Sequence, residues 1–191
     1  MRVLLSIIIS LYVYPAFADP LDGILVVAEN DTAYERSSYG DWRDADGDCQ
    51  KTRDEVLIAE SLAPVRLDAR GCRGIAGLWY DPFTGRAFTD PRGLDIDHLV
   101  PLKEAHQSGG HAWRDETRRA YANDLANPGH LMAVDNGANR SKGARDPAEW
   151  LPPNAAFHCA YVRAWIEVKR VWNLSMDAAE VAAIRTVLIL C

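Results

Sequence analysis

Asp95-Ile-Asp-His98-Leu-Val-Pro-Leu102, read together with the downstream run Asn139-Arg-Ser-Lys-Gly143, is the stretch on which the fold turns. The first run sets a carboxylate beside an imidazole, and the second sets a side-chain amide in a basic patch. Hydrolysis of a phosphodiester with one metal ion needs groups of these kinds. Carboxylate and amide oxygens hold a hard cation, and an imidazole that titrates near neutrality can take a proton from water. On an extended chain residues 97 and 98 point in different directions, so one can face a cation while its neighbour faces the attacking water.

Working outward, residues 94–97 read as a short strand, with two more before it at 75–80 and 86–89. The turn Asp81-Pro-Phe-Thr-Gly85 joins that earlier pair as a hairpin, with Pro and Gly in turn positions. Thr52-Arg-Asp-Glu55 has the form of a capping box and predicts a helix to about Leu62. Residues 103–107 and 115–125 are helical in pattern, 131–134 a strand, and 135–142 the start of another helix. Phe157, Tyr161, Ala164, Trp165, Val168 and Trp172 fall on one helical face, and a last helix over 177–190 opens with Asp177-x-x-Glu180. No repeat, low-complexity tract or linker interrupts the chain, so the expectation is one α+β domain.

At 191 residues the chain can bury a sizeable core. Its beginning has the form of an export signal: Arg2, an apolar stretch over 3–17, and Ala16-Phe17-Ala18 as an A-x-A cleavage site. Cleavage there makes 1–18 a signal peptide and 19–191 a secreted chain, extracellular or periplasmic, with no membrane attachment. Cys49, Cys72, Cys159 and Cys191 fit two disulfides in an exported protein. Three pairings are open; Cys49–Cys72 with Cys159–Cys191 closes modest loops and is favoured. The spacing of the cysteines does not suit a zinc knuckle. The formal charge of −6 becomes −7 once Arg2 is removed, which counts against a broadly basic polyanion-binding surface. A cation and a local basic stripe can offset that deficit.

The set Asp-x-Asp-His-x-Val-Pro, His130-Leu-Met-Ala-Val and Asn-Arg-x-Lys-Gly resembles the HNH (ββα-metal, His-Me finger) nucleases, including the HNH domain of RNA-guided DNA nucleases. Tyr121-Ala-Asn-Asp124 and Asp146-Pro-Ala-Glu-Trp-Leu-Pro-Pro153 resemble a narrower group: exported bacterial HNH nucleases related to the C-terminal domain of GmrSD-type restriction enzymes. The resemblance implies a ββα-metal core over about 94–145, with additional N- and C-terminal helices. It implies Asp97 and Asn139 as ligands of one Mg²⁺ or Mn²⁺ and His98 as general base. It also implies a metal-dependent endonuclease acting on DNA, with RNA as a second polymer, at little sequence specificity. The products would carry 5′-phosphate and 3′-hydroxyl ends.

Where HNH nucleases usually have an asparagine supporting the base, the alignment places His130, with Asn136 as a rival. Asp95 reads as a residue behind the metal ligands, holding the loop or a metal-bound water. Arg140 and Lys142, with Arg145 beside them, are candidates for phosphate contact, and Arg53 for an extension of that track. Asp44-Ala-Asp-Gly-Asp48 with Glu55 suggests calcium, but an EF-hand loop needs Gly at the sixth position, where Cys49 stands. The six tryptophans read as core and wall residues. The rival to the nuclease reading is a non-catalytic secreted binding module, stapled by disulfides and binding calcium through that loop.

Overall fold

The structure, a computed structural model, describes residues 19–191. The proposed signal peptide lies outside the described residues. Among the described residues the chain builds an α+β domain from short antiparallel strand pairs and six α-helices. An irregular N-terminal segment, with a 3-10 turn at Arg36–Tyr39, leads into α1 (Thr52–Glu60). Strands β1 (Arg66–Leu67) and β2 (Gly74–Ala76) pair, then β3 (Trp79–Asp81) and β4 (Arg86–Phe88). Strand β5 (Leu94–His98) is followed by α2 (Leu102–Gln107) and α3 (Asp115–Ala122), and pairs with β6 (Leu131–Asp135). Helices α4 (Asn136–Lys142), α5 (His158–Val171) and α6 (Ala178–Leu188) complete the domain.

Several local expectations needed correction. Thr52 is the first helical residue rather than a cap, and its hydroxyl donates to Arg43 O and Asn123 Oδ1 across the fold. The strand expected at 75–80 is split: Ala76 pairs back to Arg66 in β1, while Trp79–Asp81 forms the hairpin with β4. Helix α3 stops at Ala122, three residues early, and its freed carbonyls take up other work. The Asp177–Glu180 capping box does form at the start of α6.

The β5–β6 register positions everything that follows. Asp95 faces Val134, Ile96 faces Ala133, Asp97 faces Met132 and His98 faces Leu131. Alternation puts Leu94, Ile96, Leu131 and Ala133 on one face, where they form a core with Val56 and Leu57 of α1 and with Trp79. Glu60 at the end of α1 accepts from Ala133 N at 2.7 Å, satisfying a strand N–H, and burial raises its carboxyl pKa to about 7. Met132 and Val134, on the opposite face, join the larger core of α2, α3, α5 and α6. That core encloses Lys169 of α5, fully buried, which donates to Glu104 of α2 at 2.5 Å, to Ser108 Oγ, to Ser175 O and to Glu180 of α6. The cysteines join as Cys49–Cys72 and Cys159–Cys191, leaving none free. Among the described residues no helix is long and apolar enough to cross a membrane.

Candidate active site

The alternation that buries Ile96 sends Asp95 and Asp97 to the face covered by α4, and His98 to the other. Asn139 Nδ2 donates to Asp95 Oδ2 at 3.3 Å, which turns the amide oxygen of Asn139 away from Asp95. One turn on, Lys142 Nζ lies 2.5 Å from Asp97 Oδ2 and 2.8 Å from His98 O. Gly143, at φ 58°, then ends α4 in a backbone conformation that favours glycine. Burial pushes the Asp97 carboxyl pKa up and the Lys142 ammonium pKa down, and the contact between them opposes both shifts.

His98 is held from several directions. Its Nε2 lies 2.9 Å from Ala122 O at the end of α3, one of the last-turn carbonyls that a helix leaves without an internal partner. A carbonyl only accepts, so Nε2 carries the hydrogen and the neutral ring keeps its lone pair on Nδ1. The ring is parallel to Trp42 within 8° at 5.2 Å between centroids, and to Tyr121 within 12° at 6.3 Å. Burial drives its pKa well below the ordinary histidine value, helped by the charges of His130 and Arg36 and opposed by the Ala122 carbonyl. The ring is therefore neutral at physiological pH.

His98, Asp97 and Asn139 line one open cleft of about 320 Å³ together with Tyr34, Arg36, Trp42 and Lys103. The donor set on its wall, a carboxylate and a side-chain amide, is of the hard-oxygen kind that suits Mg²⁺ or Mn²⁺. Asp97 offers Oδ1, since Oδ2 is occupied by Lys142.

Other candidates fall elsewhere. His130 is fully buried with its ring 5.9 Å from His98, but its Nε2 meets Tyr121 O at 2.8 Å rather than the His98 ring. The two histidines thus grip consecutive carbonyls at the end of α3, and His130 supports the shelf on which His98 rests. Asn136 is engaged with Arg92 O and Arg140, away from His98. Lys142 cannot meet phosphate: it is fully buried and committed to Asp97. Arg53 is likewise spent on structure, donating to Pro91 O and Leu94 O at the start of β5. Arg140 and Arg145 remain exposed on and beyond α4, outside the cleft wall.

Asp44, Asp46 and Asp48 bring carboxylate oxygens within 4.8 Å of one another, and Cys49 adopts φ 75° where an EF-hand has glycine. Asp44 is already engaged there by Gly47 N and Cys49 N.

Sequence reasoning missed the Ala122 carbonyl, because every residue carries one and only the end of a helix frees it. It also missed Trp42, Arg36 and Lys103 as cleft residues. Arg36 and Trp42 belong to the aromatic and acidic run 34–42 of the irregular segment before α1, and Lys103 lies apart from it, so no local pattern joins the three.

Among known proteins, residues 51–187 match the family model described as GmrSD restriction endonucleases, C-terminal domain. A protein from the fungus Arthroderma benhamiae, described as an uncharacterized secreted protein, is 38% identical over 158 residues, covering 83% of this chain and 76% of its own. That relative is fungal, whereas the sequence suggested bacterial company. No solved structure matches the chain. With most of its length matched, the chain belongs to the family of the C-terminal domain of GmrSD restriction endonucleases.

Proposed function

We propose that this protein is a secreted, metal-dependent nuclease of the HNH type that hydrolyses phosphodiester bonds of DNA, with RNA as a second polymer. The observation that carries the reading is the commitment of His98 Nε2 to Ala122 O, which leaves Nδ1 as a proton acceptor on a cleft shared with Asp97 and Asn139. The strand pair β5–β6 followed by α4 supports an HNH core, and the family match supports nuclease chemistry.

In this reading Nδ1 of His98 takes a proton from a water as that water attacks phosphorus in line with the leaving 3′-oxygen. Burial keeps the ring neutral beforehand. The imidazolium formed is stabilised by the Ala122 carbonyl and by the negative end of α3. Trp42 and Tyr121 hold the ring plane, so little reorganisation accompanies proton transfer. Asp97 and Asn139 would hold the cation, while Asp95 orients the Asn139 amide and Lys142 fixes Asp97. The chemistry supplied by a divalent cation bound there is neutralisation of charge on the phosphoryl and leaving oxygens. His130 acts through the α3 terminus and touches no reacting atom.

Export rests on the N-terminal sequence, the secreted relative and the two disulfides. The test is incubation of oxidised 19–191 with supercoiled plasmid in Mg²⁺ or Mn²⁺, with EDTA as control. Nicked and linear products bearing 5′-phosphate ends, lost in EDTA, are expected. A folded protein inert in both metals, or equally active in EDTA, contradicts the reading.

A further inference from the structure

The cleft beside His98 is completed by a segment outside the part of the chain that the family model matches. The match begins at residue 51, yet Tyr34, Arg36 and Trp42 line the cleft. This segment is fastened to the body of the domain. Tyr34 packs against Tyr39 and His106 at 5.9 and 5.6 Å, and Trp42 lies flat on His98. Backbone bonds add to this: Arg43 N donates to Asn123 Oδ1 at 2.9 Å, and Thr52 N to Arg43 O at 2.7 Å. Arg36 is therefore carried on an anchored piece of chain while its own side chain stays exposed. Lys103, in the first turn of α2, is exposed on the same cleft.

These two are the cations that line the cleft, and neither forms an ion pair among the described residues. The chain holds 27 acidic against 21 basic residues, so carboxylate partners are plentiful. Arg92, Arg170 and Arg185 do pair at the surface. Two unpaired cations at one cleft of an acidic protein give the local positive potential that its net charge denies it. They also supply what the site otherwise lacks, because Lys142 is buried against Asp97 and Arg53, half-buried, donates to the carbonyls of Pro91 and Leu94 outside the cleft.

We propose that Arg36 and Lys103 form a phosphate clamp that holds backbone phosphates flanking the scissile one, so that the substrate is a nucleic-acid strand of several nucleotides rather than a mononucleotide or dinucleotide. The clamp rests on the nuclease reading above and names its substrate class. Each contact neutralises one phosphate and releases its counterions, so binding through the clamp weakens with salt.

The test is anisotropy of a fluorescein-labelled duplex oligonucleotide with oxidised 19–191 in EDTA, over a range of NaCl concentrations. Arg36→Gln/Lys103→Gln is compared with wild type and with Arg66→Gln/Arg163→Gln, which removes the same charge from exposed positions outside the cleft. The clamp variant is expected to bind about ten-fold more weakly at low salt, with the slope of log Kd against log salt shallower by about two. The control variant should stay close to wild type. If the wild type cleaves plasmid while the clamp variant keeps its Kd and salt slope, the clamp is overturned and the nuclease reading stands. Equal weakening in both variants also overturns it, since bulk charge then explains binding. A wild type that neither binds nor cleaves overturns both readings.

Discussion

Two lysines in this molecule are fully buried, and each lies 2.5 Å from a carboxylate, but they serve different ends. Lys169 sits among α2, α5 and α6, where Glu104, Glu180, Ser108 and Ser175 O surround it. It has no route to a ligand and joins three helices. Lys142 sits behind the cleft wall and holds Asp97 and the carbonyl of His98 together. The same chemistry locks packing in one place and aims a candidate site in the other. A buried ion pair is thus informative about function only through what lies next to it.

Substitution by methionine separates the two lysines most widely. Lys169→Met leaves two buried carboxylates without their cation and should cost about 3–5 kcal/mol in urea unfolding. Cleavage per folded molecule should stay near wild type. Lys142→Met should cost a comparable amount of stability and also lower cleavage per folded molecule about a hundred-fold, since Asp97 and the end of β5 lose their fixed position. Equal activity losses in the two variants would erase the distinction.

A disulfide supplies a smaller effect. Cys49 and Cys72 are separated by 23 residues, and Cys49→Ser/Cys72→Ser should lower stability by about 3 kcal/mol through loop entropy. Unfolding midpoints of the two oxidised proteins check this.

Glu60 is a half-buried carboxylate held by a backbone N–H and not by a lysine. Its pKa is raised to about 7 by burial, against 4.5 unfolded. The folded state therefore keeps a proton that the unfolded state has lost. Stability is fully present below pH 4.5 and falls as pH rises to about 7. Glu60→Gln keeps an acceptor for Ala133 N and removes the ionisation. It should be more stable than wild type by roughly 2 kcal/mol at pH 8 and near-equal at pH 4.5. Denaturant midpoints at both pH values decide it, and a gain independent of pH would remove ionisation as the cause.

How much of this was legible in sequence follows the same division between local and distant. The β5 and β6 strands and the start of α4 could be read because alternation and short motifs are local signals. Asp97 and Asn139 were joined by motif resemblance alone, since nothing in spacing joins residues that far apart, and the bond from Asn139 to Asp95 was not foreseen. The fates of Lys142 and Arg53 could not be read, because a basic residue near a motif looks the same whether it faces solvent or a buried aspartate. The resemblance set His130 at the position that supports His98; its ring lies 5.9 Å from that of His98, and its bond runs to Tyr121 O. Backbone carbonyls have no sequence signature, so the shelf at the end of α3 was invisible. The split of 75–80 into two strands had the same origin: it depends on pairing with Arg66, a residue that the local pattern does not mention.

The proposed role of His98 is that of base in a phosphodiester-cleaving site. It is tested most directly by single-turnover cleavage of plasmid by His98→Ala in saturating Mg²⁺ or Mn²⁺, on protein whose near-UV circular dichroism matches wild type. A loss of about a thousand-fold, with binding of labelled duplex retained, is expected. Cleavage within ten-fold of wild type would contradict it and move the base to another residue.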